Sequence, residues 1–202
     1  MKLKELFKNK LIYIGLLVLI AGAAITYLSG YYVNQTYHNL PLLNDFLLDN
    51  LPFLKIAWLF DLLSISVSIL IAVYLVGYDT EKAPYFLVLL GIVYVTRAVF
   101  TILLPVSNPG FGNNSLFTGP LFASGLFFSG HTAEAFLAFL FAKGRFKTTF
   151  LVLFILVAII LLLARGHYSI TVFSAIFFTY AIFSFGEKYL KTRLSLKYEN
   201  ES

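Results

Sequence analysis

Six stretches of this sequence, residues 11–30, 57–77, 84–104, 119–142, 149–166 and 167–186, are apolar over roughly the length a helix needs to cross a bilayer. That length is about 20 residues. The pattern predicts an all-α, polytopic membrane protein: a six-transmembrane-helix bundle forming a single domain over 1–202. Composition supports the membrane reading. Hydrophobic residues make up 59% of the chain, against about 45–50% in an ordinary soluble domain. Charged residues are 12%, and the mean hydropathy is +0.85. A soluble core of this length could not hide so much apolar surface. The fourth run contains Ser129-Gly130-His131-Thr132, and its first half also reads as a re-entrant or interfacial piece that protein must shield. The fifth and sixth runs nearly touch, which predicts a helical hairpin turning near Gly166.

The basic residues give the direction. Lys2, Lys4, Lys8 and Lys10 precede the first run, and Lys82 lies in the loop after the second. Lys143, Arg145 and Lys147 lie in the loop after the fourth, and Lys188, Lys191, Arg193 and Lys197 follow the sixth. Twelve of the 15 Lys and Arg residues therefore fall on one side, with only Lys55 in the opposite loops. By the positive-inside bias both termini are cytoplasmic, and the loops 31–56 and 105–118 and the turn near 166 face out. The net charge of +5 is a rim facing lipid headgroups rather than a nucleic-acid surface. The apolar run past Ala21-Gly22-Ala23 reads as an uncleaved first span rather than a signal peptide. With no cysteine, disulfides, thiol nucleophiles and cysteine metal sites are excluded.

Arg97 and Arg165 remain within or at the edge of the runs, with the acids Asp61 and Glu134 and the histidines His131 and His167. Ionisable groups at membrane depth are functional candidates. Counting along the runs puts Arg97, Arg165, Asp61 and His167 near the outer ends; His131 joins them if 119–128 is a loop or short helix. Each arginine can also be read as snorkelling to lipid phosphates, and each acid as a structural partner of a buried base. His38 lies in a polar outer loop and receives no role.

Two guanidinium groups and two imidazoles suit a phosphate ester. Arginine offers a fixed fork that matches phosphate oxygens. One imidazole can attack phosphorus, being largely neutral near pH 7, and the other can protonate the departing alkoxide. Gly130 and Gly166 let backbone approach a ligand. Ser129, Thr132 and the N–H groups opening the following helix are candidates for the remaining oxygens. The arrangement calls for no cofactor, and two histidines without an acidic cluster make a poor metal site.

Ser129-Gly130-His131-Thr132, followed by His167-Tyr168-Ser169-Ile170 and Val172, resembles the two histidine motifs of the type 2 phosphatidic acid phosphatase superfamily. The nearest likeness is to its sphingomyelin synthase branch, whose motifs read SGHT and HYTxDV. The likeness covers about the last 110 residues and includes Arg97 ahead of Leu104-Pro105, though not in the family's register. The resemblance implies that His167 is the nucleophile of a phosphohistidine intermediate and His131 the acid that protonates the leaving alcohol. It also implies that Ser129, Gly130 and Thr132 cradle the phosphate, with Arg97 as a basic partner. Arg165 has no counterpart at that spacing and rests on its own chemistry.

Two positions depart from that pattern. Thr171 stands where the family has the aspartate that orients the nucleophilic histidine, and Gly125 stands where the synthase branch has another aspartate. A threonine hydroxyl accepts a hydrogen bond but carries no charge; losing the analogous charge in a serine triad lowers turnover by about 10⁴. Three explanations stay open: a substitution that disables an enzyme, a relative that binds lipid phosphate without turning it over, or replacement by Asp61 or Glu134. The expected function is headgroup transfer or hydrolysis on a membrane phospholipid or lipid phosphate, with a lipid alcohol or water as acceptor. The site would face the periplasm, lumen or exterior of a bacterial inner membrane or a eukaryotic endomembrane or plasma membrane. The alternative is a non-catalytic lipid-phosphate-binding membrane protein.

Overall fold

The computed structural model describes residues 10–110 and 127–194. Their elements are α1 (Lys10–Thr36), α2 (Phe46–Asn50), α3 (Ala57–Gly77), a 3₁₀ turn (Thr80–Lys82), α4 (Ala83–Leu103), α5 (Gly130–Phe141), α6 (Gly144–Leu163), α7 (Ser169–Tyr189) and α8 (Lys191–Leu194). No β-strand occurs among the described residues. Five segments are long and apolar enough to cross a membrane: α1, α3, the 3₁₀ turn with α4, α6 and α7. Much of their apolar surface stays uncovered. Leu17, Ile20, Trp58 and Phe177 are more than 60% exposed, as expected of side chains that meet lipid rather than water.

The fourth expected span takes a different form. Its described part is α5, with 12 residues, about 18 Å long by helical rise and too short to cross hydrocarbon alone. The first part of that run, with Gly125, lies outside the described residues. α5 sits against α4, α6 and α7, and its Ala133, Ala135 and Leu137 are fully buried. A half-length helix is tolerated at membrane depth when protein encloses it in this way.

Two ends of the bundle are distinguished by their contacts. At one end the connecting segments form a cap. Leu54 N–H donates to the Leu163 carbonyl at 2.8 Å, Ser107 N–H to Pro41 at 3.1 Å, and Leu43 N–H to the Tyr168 hydroxyl at 3.1 Å. The hairpin between α6 and α7 turns here, and its positive φ falls on Arg165 (52°) rather than on Gly166. At the other end, Tyr78 packs on Phe146 with ring centroids 4.5 Å apart, Lys82 pairs with Asp79 at 3.0 Å, and Lys191 pairs with Glu187. α1 is held along α4 by backbone approach. A Cβ on Gly22 would stand 2.5 Å from the Gly91 carbonyl oxygen, and one on Gly91 2.6 Å from that of Val18. Small residues permit this in membrane helices, where packing rather than water drives association.

Candidate functional site

Between α1 and α3 lies a cavity of about 580 Å³ whose wall includes Arg97, Gly130, His131, Glu134, Gly166 and His167. The two histidines, on separate segments, thus face one void. Tyr27, Ile65 and Ile69 also line it and are 40, 40 and 59% exposed, so the cavity opens sideways, toward lipid in a membrane.

Local chemistry explains how the histidines arrive there. Ser129 is the N-cap of α5: its backbone is extended, and its Oγ accepts from Thr132 N–H at 3.3 Å and from the Thr132 hydroxyl at 2.9 Å. An N-cap oxygen satisfies a donor that the first helical turn leaves unpaired. Ser129 N–H in turn donates to the Thr171 carbonyl at 3.0 Å, which stitches the start of α5 to the first turn of α7. His131, two residues after the cap, rests edge-on against Phe60 with ring centroids 4.8 Å apart. Arg97 Nε donates to the Phe128 carbonyl at 2.9 Å, which fixes the guanidinium beside the same turn.

His167 is held from behind. Its Nδ1 lies 3.0 Å from Thr171 Oγ1, and that hydroxyl donates to the Tyr168 carbonyl at 2.8 Å. A hydroxyl has one proton, and a carbonyl can only accept. Toward His167 the threonine oxygen must therefore accept, so Nδ1 carries the hydrogen and a neutral ring has its lone pair on Nε2. That is the tautomer an attacking imidazole needs. Asp45 braces the same turn: Oδ1 caps α2 through Leu47 N–H (3.0 Å) and Leu48 N–H (3.2 Å), while Oδ2 accepts from Ser169 N–H at the start of α7.

Several expected ligands sit elsewhere. The Ser129 and Thr132 hydroxyls are fully buried and used in the cap, so they do not face the cavity as a phosphate cradle. Arg165 points into the cap instead. Its Nη2 donates to the Leu48 carbonyl at 3.2 Å, and its guanidinium lies 5.7 Å from the Phe53 ring centre. Thr171 supports His167 without lining the void. Asp61 is buried beside Phe60 and within electrostatic range of His131, but is not part of the wall. Glu134 is part of it and accepts from Ser68 Oγ at 2.7 Å. Among the described residues, no group of three or more His, Asp or Glu is placed to hold a metal ion.

No protein-family model matches this sequence, and no curated protein matches it.

Sequence reasoning missed Ser64, Ser68 and Tyr94, all of which line the cavity. Their signal was helical spacing: Tyr94 stands three residues before Arg97, and Ser64 and Ser68 are four apart on α3.

Proposed function

We propose that the protein handles lipid phosphate esters at the extracytoplasmic leaflet, through a phosphohistidine formed on His167. The observation that carries this reading is that His131, His167 and Arg97 line one cavity open toward lipid. The motifs SGHT and HYSI-x-V, with their likeness to the type 2 phosphatidic acid phosphatase superfamily, point the same way. In the first step His167 Nε2 attacks phosphorus as the bond to the leaving alcohol oxygen breaks, and His131, in its protonated form, gives that oxygen its proton. Arg97 offsets charge on the phosphoryl oxygens. In the second step water or a lipid alcohol attacks the same phosphorus, neutral His131 takes its proton, and Nε2 departs. Water yields hydrolysis and an alcohol yields transfer.

The orientation belongs to the same proposal. Lys10, Lys82, Lys143, Arg145, Lys188 and Lys191 gather at the end of the bundle opposite the cap, which the positive-inside bias puts in the cytoplasm. Gly15 meets Pro84 and Gly186 meets Tyr85 near that end, so the chain enters and leaves the bundle on one side. On this reading the number of crossings is even, and the proposal counts the run that contains α5 as the sixth.

One observation favours a second reading, a protein that binds lipid phosphate without turning it over. Thr171 gives His167 a neutral hydrogen bond and no charge to stabilise an imidazolium. The test is turnover of a labelled lipid phosphate by the reconstituted full chain. His167→Ala is expected to abolish it, and Arg97→Lys to lower it at least tenfold by losing the planar fork. Turnover unchanged in His167→Ala would reject the catalytic reading; saturable, Arg97-dependent binding without turnover would favour the binder.

A further inference from the structure

The cavity has a second polar layer, about one helical turn farther from the cap than the histidines, which the two steps proposed above do not use. Glu134 follows His131 by three residues on α5, and both face the void. Glu134 accepts from Ser68 Oγ at 2.7 Å and from the Tyr94 hydroxyl at 3.5 Å. Ser64 lines the same wall, is only 6% exposed, and its Oγ has no partner among the described residues. Its behaviour differs from that of its neighbours. Serine and threonine on apolar helices tend to return the hydroxyl to the carbonyl one turn back. Ser66 does so to Leu62 at 2.7 Å and Thr96 to Ile92 at 2.8 Å, while Ser68 gives its one proton to Glu134. Ser64 does not. An unsatisfied buried hydroxyl is destabilising, and a carboxyl among apolar side chains is costlier still. The open Ser64 hydroxyl, on the same wall as a carboxylate that can still accept, is explained if a ligand bonds to both.

We propose that Ser64 and Glu134 form a subsite for a lipid hydroxyl group, whose O–H donates to the Glu134 carboxylate and whose oxygen accepts from Ser64 Oγ–H. A hydroxyl fits because it both donates and accepts. This proposal deepens the lipid phosphate reading and rests on it for the ligand's other end. One helical turn is about 5.4 Å, which suits a hydroxyl on the carbon next to the phosphate ester carbon or one beyond. The hydroxyl can belong to the phosphate-bearing lipid or to a separate lipid alcohol. Its chain would leave past Tyr27, Ile65 and Ile69.

The test measures binding to the purified full chain in maltoside detergent with three probes. These are a monoacylglycerol phosphate with a free 2-hydroxyl, its 2-deoxy counterpart, and the uncharged monoacylglycerol. The hydroxylated phosphate is expected to bind about tenfold more tightly than the deoxy lipid, the effect of one net hydrogen bond. Ser64→Ala and Glu134→Gln should each bring that ratio to about one while leaving deoxy-lipid affinity within about twofold. Arg97→Ala should weaken both phosphates and keep the ratio. A ratio near one in the unaltered protein, with Arg97-dependent binding intact, overturns the subsite and spares the phosphate reading. Monoacylglycerol binding that needs Ser64 but not Arg97 supports the subsite by itself, even if neither phosphate binds. Failure of all three probes overturns both.

Discussion

The pairing of His167 with Thr171 makes the most specific demand on single residues. Thr171 fixes the tautomer without supplying charge, so its two functions can be separated by substitution. Thr171→Val keeps the volume but removes the acceptor for Nδ1–H; it should shift the ring nitrogen resonances toward a tautomer mixture and lower turnover at least several-fold. Thr171→Asp keeps the acceptor and adds the charge, and turnover of lipid phosphate should rise by at least tenfold. No rise would mean that an absent carboxylate is not what limits this site. At this scale the sequence singled out His131, His167 and Arg97, which line one cavity, because a costly group in an apolar run is conspicuous. It misled for Ser129, Thr132 and Arg165. Their chemistry suits phosphate, yet the fold already uses it: Ser129 caps α5, the Thr132 hydroxyl donates to Ser129 Oγ, and Arg165 donates to the Leu48 carbonyl. Composition along a chain does not reveal which polar groups a fold has already used.

At the scale of elements, the site depends on two helix starts held in register. The cap of α5 and the first turn of α7 are joined by Ser129 N–H on the Thr171 carbonyl, and Asp45 ties the start of α7 to α2. Asp45→Ala removes three acceptor contacts from a buried carboxylate. Removing an N-cap alone costs about 1 kcal/mol, with a range of about 0.5–2. The loss here should be at the upper end or beyond, read as a lower melting temperature in detergent, with a larger fall in turnover than in lipid affinity. Equal falls would assign Asp45 to stability alone. α1, α3, α4, α6 and α7 were readable as apolar runs, since length and hydropathy decide them. The 12 residues of α5 were read only as part of a longer run whose first half also reads as re-entrant or interfacial, because a Ser129 cap ends apolar continuity without changing its appearance in a window. The role of α2 was not readable, because its five residues carry no periodic signal and matter only through contacts distant in sequence.

For the whole molecule, the account requires the cap to face outward and the basic end inward. The chain has no cysteine, so single thiols can report this directly. Asn50→Cys in the cap should react with a membrane-impermeant maleimide on intact cells, and Arg145→Cys only after permeabilisation; the reverse pattern would place the cavity's histidine layer on the cytoplasmic side. The distribution of Lys and Arg made this expectation available from sequence, while the sideways opening between α1 and α3 needed the Gly22–Gly91 contact to show where α1 lies. The most direct measurement of the central claim is the chemical state of His167 after brief exposure of the reconstituted protein to lipid carrying radioactive phosphorus. The account predicts acid-labile, base-stable label on the peptide containing His167, absent from His167→Asn. Label on any other residue, or turnover of the lipid with no label on His167 even after rapid quenching, would contradict it.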